Sequence, residues 1–285
     1  MKQIALMLRM ELVGEDLNNE GTIGNVMQPR QIILENGEIR QSISGEMLKH
    51  FHTRNLRNLA TDEELCDECK IFSPMKAGKV KKEDKKLSVS GNMGRNCNID
   101  HVEGFMSTKG KNAKRRSCIQ FSWAIATKEN DYQNMLHTRV DVTEKGGKKN
   151  ESEDKSAQMI FNRPLRNNTY ASTVMLDLDR IGFDDEKLIY VLDEESIKER
   201  QKKSLIALRD TFANIEGASC TTRLPHLCGM EGIIVRKTDV EKVLTKCSPL
   251  KNNYREEIKE VCEDIKEFNS VVEFVKVIDE LIKEL

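Results

Sequence analysis

The spacing of apolar residues changes several times along the chain, and each change marks an element. Ile4, Leu6, Leu8, Met10 and Leu12 recur at every second position, which is one face of a β-strand. Ala5 and Met7 make the opposite face apolar as well until Arg9 and Glu11 interrupt it. The pattern predicts a central strand buried on both sides with a wetter end. Gly14 to Arg30 is rich in Asn and Gly and reads as a surface loop. Ile32, Ile33 and Leu34 are separated from Ile39 by Glu35-Asn36-Gly37-Glu38, and Asn-Gly between apolar runs predicts a hairpin. The period then becomes helical. Leu48, Phe51, His52, Asn55, Leu56 and Leu59 share one helix face, while Glu46, Lys49, Thr53 and Arg57 lean outward. Ser44 is placed to cap that helix.

From Ala60 to Ser117 the regular pattern lapses into a segment poor in apolar residues and rich in Lys and Gly. Strand alternation returns with Ile119, Phe121, Trp123 and Ile125 on one face, which predicts Trp123 in the core. His137 to Val142 and Met159 to Phe161 are strand-like runs joined by the polar stretch from Glu144 to Ser156, so they predict a projecting ribbon. Thr173 to Ile181 reads as another core strand, Ser196 to Asn214 as an amphipathic helix and Gly232 to Val235 as a late strand. Helices over Asp239 to Leu244 and Arg255 to Leu285 complete the chain. The sum is an α+β fold with helices backing an antiparallel sheet.

Composition narrows the class. With 285 residues, 38% hydrophobic and 33% charged, the chain can bury one large core or two modest ones. No run has the length of a membrane span, and Met1-Lys2-Gln3 leads into a strand instead of a signal peptide, so the cytoplasm is expected. The formal net charge of -1 excludes a globally basic nucleic-acid binder; any such contact must use locally gathered cations. The runs from Lys76 to Lys86 and Lys109 to Arg116 gather them, although a lysine-rich run is often only a solvated loop.

Three groups of residues suggest chemistry. Eight cysteines without a secretory signal argue for reduced thiols or a metal over a disulfide framework. Cys66-x2-Cys69 followed by Cys97-x3-His101 offers four ligands, which either clasp a structural zinc or remain reduced, partly buried side chains. The N-terminus of the helix after Ser44 presents amides and a positive dipole end, so Ser44 and Gly45, with Lys49 beside them, could hold a phosphate. The alternative is an ordinary capped helix. Asp177 and Asp179 lie two apart on a strand, a spacing that suits a divalent ion but more often marks strand-end charges.

Asn25, Pro29 and the run Arg40-Gln41-Ser42-Ile43-Ser44-Gly45-Glu46-Met47-Leu48-Lys49 resemble the segment after the first strand in the backbone protein of Cascade-type CRISPR complexes. The DevR-type branch of type I systems is the most similar. Gly45-Glu46 departs from other branches, which often carry Ser-Gln there. His101-Val102-Glu103-Gly104-Phe105-Met106 resembles the end of that family's inserted finger. TRVDV, a polar tip and QMIFNRPLRNNTYASTVMLDLDRIG resemble its thumb and the strand that follows. Ser219 and Arg223 fall where the family has polar residues near its last strand, with no role assigned.

The resemblance implies an RRM-like (ferredoxin-like) palm from residues 1–60 and 117–250, a finger region at 61–116 with the possible zinc site, a thumb ribbon at 138–166 and C-terminal helices at 251–285. It implies a subunit that lines up with copies of itself along a guide crRNA and presents it to target DNA, beside other Cascade subunits and away from any membrane, with no enzymatic activity. Guide contacts fall to Asn25, Arg40, Ser42, Ser44, Gly45, Lys49 and His50, with Arg163 and Arg166 beside the thumb residues Met159 and Phe161. Two alternatives remain at this stage. A metal-dependent endoribonuclease could use Asp16 or Glu20 near the first strand, although no His or Lys is spaced as a partner. A DNA-binding transcriptional autoregulator is suggested by the DevR label, although no helix-turn-helix pattern is evident.

Overall fold

The structure is a computed structural model that describes residues 2–73, 76–80, 83–108, 112–129, 132–140 and 158–285. The chain opens with β1 (Gln3–Glu15), makes a hairpin of β2 (Asn19–Ile23) and β3 (Val26–Pro29), then a second of β4 (Gln31–Ile33) and β5 (Ile39–Ile43), and enters α1 (Gly45–Leu59). Short helices α2 (Asp67–Lys70), α3 (Val89–Asn96) and α4 (Asn98–Glu103) follow, with a hairpin of β6 (Phe105–Ser107) and β7 (Ala113–Arg115). The chain then returns to the main sheet through β8 (Ile119–Phe121), β9 (Ala124–Ala126), β10 (Gln133–Val140) and β11 (Gln158–Asp177). A small hairpin, β12 (Phe183–Asp184) and β13 (Ile189–Tyr190), leads to α5 (Glu194–Ala213) and β14 (His226–Lys237). The last elements are α6 (Tyr254–Val261), β15 (Ile265–Phe268) and α7 (Val271–Lys283).

The main sheet has the order β15-β14-β1-β11-β9-β5-β4, with β8 also paired to β11. β1 lies at its centre, antiparallel to β11 and to β14 along nearly its whole length. Its alternation sorts two cores, as the sequence predicts. Ile4, Leu6, Leu8, Met10 and Leu12 pack with Leu48 and Leu56 of α1, Leu205, Leu208 and Phe212 of α5, and Phe274, Ile278 and Leu281 of α7. Ala5 and Met7 face the other way, against Ile233, Val235, and Tyr254 and Ile258 of α6. Arg9 is half-buried, and its guanidinium donates to the carbonyl oxygens of Pro249 (2.7 Å) and Lys251 (2.9 Å).

The Asn36-Gly37 hairpin forms as expected: Gly37 has φ +84°, and Leu34 N donates to Glu38 O at 2.9 Å. Three expectations need correction. Residues 14–30 are not a plain loop, because β2 and β3 pair across a turn in which Gly24 takes φ +61°. The strand through Trp123 breaks after Phe121, where Ser122 N donates to Thr173 O and Ser122 Oγ accepts from Thr173 N. That break shifts the alternation, so Ala124 and Ala126 are buried and Trp123 is half-exposed beneath the Arg30 guanidinium, 5.4 Å from its ring centroid. The C-terminal region is not all helix. Residues 239–244 form none, and β15 adds a strand beside β14, where Gly232 opposite Phe268 leaves room for the ring.

Gly45 is required by packing: a Cβ there would lie 2.8 Å from Phe121 O and 3.3 Å from Ser122 O. Gly45→Ala should therefore lower the unfolding free energy by about 1–3 kcal/mol in urea titrations. A gain in stability, as helix propensity alone dictates, would contradict this close approach.

Candidate nucleic-acid interface and metal centre

The polar residues around the end of β1 form one buried network. Glu15 accepts from Arg166 Nη2 at 2.9 Å, its other oxygen lies 2.6 Å from Arg166 Nε as an ion pair, and both side chains are fully buried. Tyr170 donates its hydroxyl to Glu15, and Leu17 N donates to Glu15 Oε2 at 2.8 Å. Burial and the Glu15 charge hold the Tyr170 phenol well above its ordinary pKa, so it remains a donor. Arg166 also donates to Asn18 O at 3.1 Å, while Asn18 Oδ1 accepts from Ser44 N at 2.9 Å and Asn18 O from Arg30 N at 3.2 Å. Arg166 thus braces β1, β11 and the start of α1 together, and it is not available to an external strand. Its assignment to guide contact is corrected on that ground.

Beyond Arg166 the N-terminal half of β11 pairs with β10 to form the expected ribbon, from Gln133↔Leu165 to Val140↔Gln158. The polar tip at 141–157 lies outside the described residues. His137 and Phe161 are directly opposed and stacked, with ring centroids 5.4 Å apart and planes 16° from parallel. The Arg163 guanidinium lies over Phe161 at 5.1 Å, which places a cation and two rings on one face. Met159 belongs to the same ribbon, opposite Arg139. Leu136 and Ile160 are exposed large apolar residues of the ribbon, at the alternate positions that face the other way. Asn25, at the turn between β2 and β3, ties that hairpin to β11: its carbonyl accepts from Asn162 N at 2.8 Å and its Nδ2 donates to Ile160 O at 3.3 Å.

The start of α1 is more closed than the sequence suggests. Ser44 is buried, and its hydroxyl accepts from Met47 N at 3.2 Å, so it caps its own helix. Gly45 abuts the Phe121 and Ser122 backbone and not a ligand. Ser42 is buried on β5. These three expected guide contacts are enclosed, because the β8–β9 backbone and Asn18 occupy the space. Arg40 is engaged by Glu38 and donates to Ala126 O at 3.2 Å. Lys49 reaches solvent with a third of its side chain, and its nearest carboxylate, in Glu103, is 4.0 Å away. His50 is exposed beside the rings of Phe51 and Phe72, and partial burial together with Arg54 lowers its pKa. It therefore offers a ring face and a neutral hydrogen-bonding group at neutral pH.

The structure gives a position to Arg223, which the sequence left without a role. Arg223 pairs with the buried Asp16 at 2.8 Å and donates to His137 Nε2 at 2.6 Å, linking the ribbon to the end of β1. Register alone would have revealed the His137 and Phe161 pair, but it depends on the length of the ribbon turn.

A second cluster lies beyond α1. Ligand atoms of Cys66, Cys69, Cys97 and Asp100 all fall within 4.8 Å of one another, and all four residues are buried. Asp100 approaches Cys66 Sγ at 3.4 Å and Cys69 Sγ at 3.5 Å, and Asp100 Oδ1 accepts from Ala77 N at 3.0 Å. Burial and the neighbouring Cys66 push the Asp100 carboxyl up to about 7, and the hydrogen bond with Cys66 and burial push the Cys97 thiol up to about 12. Such a set could hold a soft divalent ion. His101, expected as the fourth ligand, faces elsewhere: its Nε2 accepts from Gly182 N at 2.6 Å and from Arg115 at 3.0 Å. One residue of helix rotates the side chain about 100°, and Asp100 takes the position expected of His101. Burial, with Arg115 and Arg200 nearby, keeps His101 neutral. Asp177 instead accepts from Gln3 at 3.1 Å, and Asp179 lies 3.5 Å from the Tyr190 hydroxyl.

The family model for the "CRISPR-associated negative auto-regulator DevR/Csa2" matches residues 6–259. A protein of Methanocaldococcus jannaschii named "CRISPR-associated protein Cas7/Cst2/DevR" is 26% identical over 202 residues, 65% of this chain and 62% of that protein. The match thus spans less than two thirds of that relative. A solved "CRISPR RNA-guided surveillance complex, pre-nicking" contains a chain similar in fold, with TM-score 0.55, 12% identity and 99% of each chain covered. A chain of a second "CRISPR RNA-guided surveillance complex" gives TM-score 0.53 at 12% identity, again with 99% of each covered.

Truncating Arg166 leaves the buried Glu15 without its cationic partner. Arg166→Ala should cost about 3–5 kcal/mol of stability, whereas Arg163→Ala, on the half-exposed ribbon, should change it by less than about 0.5 kcal/mol. Chemical denaturation of both variants checks the contrast, and equal losses would contradict it.

Proposed function

Since this chain belongs to the DevR/Csa2 family of CRISPR-associated proteins, we propose that it is a backbone subunit of a Cascade-type surveillance complex. It holds guide RNA by the sugar-phosphate side and leaves base edges free to pair with target DNA. Base pairing then reads sequence while the protein reads shape. The observation that carries this reading is the ribbon root, where Arg163, Phe161 and His137 form a stacked cation and aromatic face tied to Arg223 by a part-buried hydrogen bond. Such a face suits an unstacked base or a backbone bend.

The order of elements supports the palm assignment. β1, α1, β8 with β9, β11, α5 and β14 follow a βαββαβ sequence, and their order across the sheet, β14-β1-β11-β9, is that of an RRM-like fold. Residues 61–116 then correspond to the finger and the β10–β11 ribbon to the thumb. Copies would stack by a heterologous contact that repeats without closing, along a guide in the cytoplasm and beside other Cascade subunits. Among the described residues no helix is long and apolar enough to cross a membrane.

The subunit does no bond chemistry in this reading. Asp16, the strongest candidate for a nuclease carboxylate, is buried and committed to Arg223 and to Asn19 at 2.7 Å, and Glu20 lies 3.8 Å from Arg30. Lys49, Asn25, His50 and Arg163 remain the reachable contacts from the expected set.

Binding of unrelated single-stranded RNAs, measured by fluorescence anisotropy across a salt series, tests the proposal. Lys49→Ala should weaken binding about equally for all sequences and make the salt slope about one unit shallower. Phe161→Ala should cost about 1–3 kcal/mol of affinity. A strongly sequence-dependent loss, or tighter binding to duplex DNA, would contradict the reading. Metal-dependent RNA cleavage abolished by Asp16→Ala would favour an enzyme.

A further inference from the structure

We propose that Cys66, Cys69, Cys97 and Asp100 bind one structural Zn2+ that closes the segment after α1 onto the helix layer, independently of any RNA. The two halves of the site are built alike. Cys66 precedes α2 and Cys97 precedes α4 as capping residues, and in each case the second ligand lies three positions on, in the first turn. Cys97 Sγ accepts from Asp100 N at 3.4 Å, so the pair is held in place by its own helix turn. A Cys-x2-Cys clasp and a Cys-x2-Asp clasp therefore meet from points distant in sequence, as in closed tetrahedral zinc sites.

The dimensions select a single ion. Tetrahedral bonds of about 2.3 Å to sulfur and about 2.0–2.2 Å to oxygen set ligand atoms roughly 3.3–3.8 Å apart, and these four already lie within 4.8 Å of one another. An iron–sulfur cluster holds its cysteines at its outer corners and needs a wider cage. Three sulfurs disfavour Ca2+ and Mg2+, which take oxygen ligands. Asp100 uses Oδ1 to accept from Ala77 N, which orients the carboxylate and leaves Oδ2, the oxygen nearest Cys66, toward the ion.

Burial supplies the reason for an ion. Asp100 is 1% exposed and Cys97 0%, and a carboxylate enclosed among thiols must either take up a proton or be compensated by a cation, which alone also engages the three sulfurs. A disulfide between two of the cysteines would leave that carboxylate uncompensated. The surrounding segment has only short helices, of four residues in α2 and six in α4. A metal clasp provides the closure that so little apolar surface does not.

The test uses the full chain, purified without an affinity tag from zinc-supplemented cells. Elemental analysis should find about one zinc per chain, released by a mercurial reagent and, on chelation, accompanied by a lower Tm. Replacement with Co2+ should give tetrahedral d–d bands and thiolate-to-cobalt charge transfer, a readout that needs no variant. Asp100→Ala should lose the metal, and Asp100→Cys should retain it with stronger charge-transfer absorption, even if the alanine variant fails to fold. His101→Gln should keep the zinc. No metal at any zinc supply, or a disulfide among Cys66, Cys69 and Cys97 in protein purified without oxygen, overturns the proposal. Loss of zinc in His101→Gln with retention in Asp100→Ala overturns the ligand set.

Discussion

Where β1 ends and β11 leaves the core to become the ribbon, Glu15 and Arg166 meet with both side chains out of contact with water. Burying two charges costs several kcal/mol per ion, and only close geometry and further hydrogen bonds offset it. Here Tyr170, Leu17 N and Asn18 O provide those bonds. The same Asn18 then fixes Ser44 at the head of α1 and the backbone of Arg30. Direction of the ribbon, position of the first hairpin and entry into α1 therefore depend on one pair. An aliphatic pair could fill the volume, but it could not direct donors and acceptors to three separate segments.

This arrangement explains how a chain with a net charge of -1 can present cations at all. Most of its arginines are engaged: Arg166 with Glu15, Arg223 with Asp16, Arg40 with Glu38 and Arg236 with Asp264. Among the described residues, arginines also lie over rings. Arg163 over Phe161 and Arg30 over Trp123 are cation–aromatic pairs, less hydrated than free lysines and better suited to the faces of bases.

Period-two and helical patterns made β1, the Asn-Gly hairpin, α1 and α5 legible, because each has one continuous buried stripe. The sequence was silent where tertiary contacts decide. Trp123 left the core because Ser122 breaks its strand and shifts the alternation. β15 is four residues long and gains its identity only from pairing with β14. In the candidate site, the resemblance named segments whose side chains the structure divides into enclosed and reachable ones. Ser42, Ser44, Gly45 and Arg166 are scaffold, while Lys49, Phe161 and Arg163 remain accessible. The cysteine spacing located three of the four clustered ligands, and helix rotation, invisible in a spacing count, replaced His101 with Asp100.

The central claim is that the braced ribbon root grips one RNA strand. Ultraviolet crosslinking of the native complex, followed by mass spectrometry of nucleotide-bearing peptides, tests it most directly. The account predicts adducts at His137 or Phe161, on the ribbon face, and near Lys49 on α1. A native complex without RNA, or adducts confined to surfaces remote from the ribbon and α1, would contradict it.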